Sequence, residues 1–270
     1  GEDTLSLHDA LPISWELRTP EPMLDMRLFK DRRFGVSSLG VTLVFMVMFG
    51  FFFIVVQLFQ LLLGYGPFES GLRMLPFVPV MIVMSTASPR LVQRFGTRYV
   101  VTVGMLFTAG GVLLLSGLNA SSTYQQVLVG MIVMAAGMGL VMTPMTDLIM
   151  SSVPREKAGV GSAMNDTTRE LGTTLGVAIL GSVVMAIFRK GIDTSMLEAD
   201  QAHAAQGTLG GALQEATYLP GELGSVLADS AKSAFVDGMH VAAGATALVL
   251  FVSAALVLRM LRSTPENAKR

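Results

Sequence analysis

The chain of 270 residues contains no cysteine, and only 14% of its residues are charged. Without cysteine there is neither a disulfide framework nor a thiolate metal site, whatever the compartment. Soluble domains carry about 25% charged residues because their surface must hold water. A water-soluble fold is therefore excluded. Net charge is also nearly absent, at −1, which removes the electrostatic handle that nucleic-acid binding needs. Three widely separated histidines, His8, His203 and His240, offer no metal-ligand spacing. No phosphate-binding loop or cofactor motif accompanies the glycines, so no cofactor is expected.

What the chain has instead is apolar length. Hydrophobic residues make up 51% of it, and 19 residues are Met. Residues 34–68, 99–146, 171–188 and 238–258 contain no Asp, Glu, Lys or Arg. Runs of that kind match the ~20 residues that cross a bilayer. The fold class expected is an all-α polytopic membrane protein with six spans, at about 34–63, 70–89, 99–118, 124–151, 159–188 and 240–261. Pro76 and Pro79 interrupt the second span, which membrane helices tolerate when neighbours satisfy the freed carbonyls.

Basic residues orient the spans. Fourteen of them (Arg18, Arg27, Lys30, Arg32, Arg33, Arg90, Arg94, Arg98, Arg155, Lys157, Arg259, Arg262, Lys269 and Arg270) fall on one side of the membrane. Three (Arg189, Lys190 and Lys232) fall on the other, among seven acidic residues. Both termini are predicted to be cytoplasmic, in a plasma membrane of the bacterial inner-membrane type. Residues 1–22 form a non-membrane head, 23–264 the six-span unit and 265–270 a cytoplasmic tail. The string from Asp3 to Ser14 reads either as translated adapter sequence or as a natural soluble lead-in. Residues 189–239 form a long extracytoplasmic connection, in which Ser195–Gln206 and Glu222–Val236 have the composition of short amphipathic helices.

Four stretches, in order, resemble one family. They are VVQLFQLLLGYGPFESGLRMLPFVP (55–79), PRLVQRFGTR (89–98), GMGLVMTP (137–144) and VPREKAGVGSAMNDTTRELGTTLGVAILG (153–181). From Pro22 to Leu261 the chain resembles the C-terminal half of a major facilitator transporter of the fourteen-helix drug:proton antiporter subfamily (EmrB/QacA type). The second stretch is similar to that family's cytoplasmic loop motif, with Leu91, Arg94, Gly96 and Arg98 at matching positions. Pro89 and Gln93 replace its first Gly and its Asp, which removes a carboxylate of the cytoplasmic gate. The resemblance implies proton-coupled efflux of small amphiphilic compounds by alternating access. It also implies lipid, substrate, protons and an N-terminal half as partners. A porter for another solute and a non-transporting fragment are the rival readings; no nucleophile–base pair supports an enzyme.

Charges within spans are expensive and default to functional hypotheses. Glu69 and Arg73, at i,i+4, share a face near the outer end of the second span and form a candidate clamp. Asp147 reaches the cytoplasmic end of the fourth span. In the fifth, Asp166 and Arg169 share a face, and Arg169 is expected to pair with Asp147 or Asp166 at an inner gate; a static packing pair explains the same residues. Glu170 is the candidate proton-exchanging carboxylate, provided burial raises its pKa. One count puts Arg169 and Glu170 at the inner boundary; another puts Glu170 near the midplane. Gly172 and Gly176, in a G-x-x-x-G pattern, and Gly137 and Gly139 suit close helix packing.

Overall fold

The computed structural model describes residues 32–119, 122–153 and 158–261. The head, Arg155, Lys157 and the tail lie outside the described residues. Among those described there are only helices, and six candidate spans are long and apolar enough to cross a membrane. The first is α1, Arg32–Gln57, which runs on into a π-helical turn at Leu58–Leu62. The Leu63 N–H donates to Leu58 O at 3.0 Å, an i to i−5 bond, and Gly64, at φ +70°, ends the span.

The second span is two helices, α2 (Pro67–Met74) and α3 (Phe77–Phe95), rather than one over 70–89. Pro76 has no N–H to continue the ladder, and Leu75 bonds back only to Leu72 O. The expected cytoplasmic loop 89–98 is mostly helix, because α3 continues to Phe95. Gly96 alone then turns the chain into α4 (Thr97–Ser116). Its φ of +86° and ψ of 148° are open essentially only to glycine. Next come α5 (Tyr124–Ser151) and α6 (Ala158–Gly191).

The connection expected over 189–239 is largely helical too. It holds α7 (Ala199–Gly207) and α8 (Leu209–Tyr218), and the last span, α9, begins at Glu222 and runs to Met260. Glu222–Val236 is thus the first part of the sixth span instead of a separate surface helix. No proline interrupts its Ala- and Leu-rich sequence before His240. His240 Nε2 lies 2.6 Å from Leu118 O, tying α9 to the end of α4.

Packing places α6 against α1, α1 against α5, and α5 against α3, while α4 lies against α5 and α9. Glycine sets the two tightest crossings. A Cβ on Gly172 or Gly176 would strike the main-chain oxygen of Thr42 or Met46, and one on Gly137 would strike Gly104 O. Gly139 presses in the same way on Met81 of α3.

The α3–α5 crossing is joined by two hydroxyls. Pro144 inside α5 leaves Leu140 O without its i+4 donor, and Pro89 inside α3 does the same to Ser85 O. Ser88 Oγ donates to Leu140 O at 2.9 Å, and Thr143 Oγ1 donates to Ser85 O at 3.3 Å. Each proline's orphan carbonyl is therefore satisfied by the residue preceding the other proline.

Candidate functional site

Phe45, Phe49, Phe52 and Gln60 recur along α1 and its π turn at spacings that hold one face. All four are half-buried. Phe45 stacks on Phe49 at 6.0 Å between centroids, Phe49 meets Phe52 edge-on at 6.5 Å, and Phe52 meets Phe77 of α3 at 4.9 Å. The rings form a continuous string on the flank of α1 between α6 and α3. A different flank of α1, with Gly35, Leu39 and Leu43, lines a groove with Ser253 and Leu256 of α9.

Arg169 closes one end of the string. Its guanidinium lies 5.5 Å from the Phe45 ring centroid and donates a long bond, 3.4 Å, to Thr146 Oγ1. Asp166 is 4.0 Å away, at the limit of an ion pair, and is itself largely exposed. Asp147 is exposed and forms no ion pair among the described residues. Contact with Thr146, five residues before the α5 terminus at Ser151, puts Arg169 about 8 Å along the helix from that end. Glu170 lies beside Arg169 in sequence but about 100° around the helix, and it is exposed.

A second cationic cluster lies beyond the π turn of α1, where Tyr65 and Tyr124 both meet Phe59. Arg73 bonds Glu69 at 2.7 Å, and its guanidinium sits 3.9 Å from the Tyr65 ring centroid and 4.7 Å from that of Tyr124. Tyr124 Oη donates to Arg73 O at 3.0 Å. The i,i+4 spacing identified Glu69; the two tyrosines come from a loop and from α5, and no local spacing points to them. Of the loop-motif residues, Arg94 and Gly96 are exposed, whereas Leu91 and Arg98 are half-buried. Arg98 lies 5.0 Å from the Tyr99 ring centroid.

Among the described residues nothing in this arrangement pairs a nucleophile with a base, and no cluster of His, Cys, Asp or Glu would hold a metal ion. A half-buried aromatic string with a poorly satisfied arginine suits contact with another surface or with an amphiphilic molecule.

Comparison with known proteins agrees with a transporter. The family model for the Major Facilitator Superfamily matches residues 9–177. The chain is 33% identical over 249 residues to the multidrug efflux pump LfrA of Mycolicibacterium smegmatis, covering 92% of this chain and 49% of the pump. It is 30% identical to the tetracenomycin C resistance and export protein of Streptomyces glaucescens, over 93% of this chain and 48% of that protein. Identity to the methyl viologen resistance protein SmvA of Salmonella typhimurium is 32%, over 89% of this chain and 49% of that protein. The chain thus spans about half the length of these curated relatives. On the family match and these identities, the chain belongs to the major facilitator superfamily, a family of multi-pass membrane transporters.

Proposed function

We propose that this chain forms the C-terminal half of a proton-coupled multidrug efflux transporter of the fourteen-helix drug:proton antiporter subfamily. It exports small amphiphilic compounds across a bacterial inner membrane, with both chain termini cytoplasmic. The observation that carries the reading is the aromatic string Phe45–Phe49–Phe52, left half-buried where it ends on the buried ring of Phe77, although the helices otherwise pack closely. Major facilitator proteins bind substrate between two halves near the midplane and alternate access by rocking one against the other. Rings on such a face stack on varied apolar ligands without demanding one shape. The relatives named for efflux of, or resistance to, chemically unlike compounds support the same reading.

In this account Arg169, Asp166 and Asp147 belong to the cytoplasmic gate, together with Leu91, Arg94, Gly96 and Arg98. The weak 4.0 Å contact of Arg169 with Asp166 leaves its guanidinium available to regroup as the halves move. Glu170 is exposed in this half, and in this reading it is the carboxylate that takes part in proton exchange in the whole transporter. Glu69 and Arg73, held by Tyr65 and Tyr124, brace the outer ends of α1, α2 and α5.

The test uses everted membrane vesicles containing the transporter that includes this chain. With an imposed proton gradient, acid inside, ethidium should accumulate in the vesicles, and its addition should partly dissipate the gradient. Accumulation that ignores a protonophore, or ethidium movement in the opposite direction, would refute proton-coupled export.

A further inference from the structure

Four buried side-chain atoms make no hydrogen bond among the described residues, and three of them belong to α1 and α6: Ser38 Oγ, Asn165 Oδ1 and Arg169 Nε. Ser38 is 2% exposed and Asn165 is 6% exposed. Ser38, Thr42 and Phe45, at i, i+4 and i+7, share a face of α1; Asn165, Thr168, Arg169 and Gly172 share a face of α6. These faces touch. Thr42 Oγ1 donates to Thr168 O at 3.1 Å, the Arg169 guanidinium lies over Phe45, and Gly172 abuts Thr42 O. The two helices run parallel through this contact, so Ser38 and Asn165 both lie about one turn toward the helix starts from the Thr42–Thr168 bond.

A buried polar atom without a partner is destabilising, and native proteins keep few of them without a reason. Alanine at 38 and leucine at 165 would make the same helix contact without that penalty. The three groups are also chemically complementary. Arg169 Nε only donates, Asn165 Oδ1 only accepts, and the Ser38 hydroxyl does either. One small molecule that accepts from the guanidinium and donates to the amide oxygen and the hydroxyl satisfies all three. Water does this, and buried waters make about three hydrogen bonds each. Val41, Val44 and Met164, on the same stretches of α1 and α6, are buried and apolar, so the polar turn is not part of a generally wet surface.

We propose that this turn of the α1–α6 contact is a solvent site, binding water between Ser38, Asn165 and Arg169 inside an otherwise apolar helix contact. The site hydrates the Arg169 guanidinium from within the bundle. It does not depend on the transport reading, because it rests on this chain's own packing.

The absence of native cysteine makes the test direct. N-ethylmaleimide crosses lipid but reacts with the thiolate, so its rate reports water at an introduced thiol. In membranes, Ser38→Cys and Asn165→Cys should label at least about tenfold faster than Val44→Cys, whose position is equally buried but apolar. Adding Asn165→Leu to Ser38→Cys should bring labelling down to the Val44→Cys rate. Adding Asn165→Asp, which keeps an acceptor, should preserve it and guards against a Leu variant that merely fails to fold. The proposal is overturned if the Ser38 and Asn165 thiols label no faster than the Val44 thiol. It is equally overturned if Leu leaves the Ser38 thiol's rate unchanged or if Asp abolishes it.

Discussion

The α3–α5 crossing makes a coupled prediction. Replacing Ser88 by Ala removes the hydroxyl that donates to Leu140 O, a carbonyl that Pro144 has already deprived of its helical partner. Interhelical hydrogen bonds in membranes average about 0.6 kcal/mol and reach about 1.7. A carbonyl left orphaned in a fully buried position belongs at the upper end, so Ser88→Ala should cost about 1.5 kcal/mol. Pro144→Ala restores an N–H four residues after Leu140. In that background the Ser88 hydroxyl is redundant, and its removal should cost less than about 0.5 kcal/mol. The cycle therefore yields a coupling of about 1 kcal/mol between residues on different helices, well above the ~0.3–0.5 expected for independent sites. The assay is reversible unfolding of the purified chain in mixed micelles with increasing SDS fraction, run on wild type, both single variants and the double. Additive effects would refute the hydroxyl–proline exchange.

Other expectations follow from the same packing. Gly176→Ala should destabilise, by about 1–3 kcal/mol relative to Gly244→Ala, because its Cβ meets the Met46 main chain whereas nothing lies within 4 Å at Gly244. Equal thermal shifts for the two variants would contradict the α1–α6 geometry. Gly96→Ala has open space around its Cβ and so isolates backbone strain, about 1–3 kcal/mol, again readable as a fall in melting temperature. Arg73→Ala should lower that temperature more than Glu69→Gln, since only the former also releases Tyr65 and Tyr124. Asp193, beyond the end of α6, is held below the usual carboxylate range chiefly by the Ser195 backbone N–H, with the Ser195 side chain adding to it. A lowered folded pKa stabilises above the unfolded value, near 3.8, and that stabilisation is lost as pH falls through the folded value. Hydrogen exchange of the Ser195 amide should therefore accelerate, beyond its intrinsic rate, as pH falls below about 4. Asp193→Asn should remove that acid dependence.

The spans were legible because exclusion of charge over some 20 residues has few other causes. Helix ends were less so. Ala, Leu and Glu favour helix in water as in lipid, so nothing at His240 marks where α9 leaves the apolar layer, and its start at Glu222 lies outside a hydropathy argument. Within one helix, spacing was informative: Glu69 and Arg73 meet, and Asp166 approaches Arg169. Between helices it was not. Thr146 and Phe45 reach Arg169 only through the register of α5 and α1 against α6, which the crossing glycines set. The Ser88–Pro144 and Thr143–Pro89 relations have the same origin. Each proline was visible in the sequence, but which hydroxyl would answer it depended on the crossing.

Substrate protection of the aromatic string tests the transport reading most directly. In the transporter containing this chain, with no other cysteine, Phe49→Cys should react with a maleimide more slowly when ethidium is present. Leu114→Cys, exposed on α4, is the control and should react at the same rate with or without it. Protection confined to position 49 is the result expected of a substrate-facing wall. Equal rates at both positions, with ethidium present and absent, would contradict it.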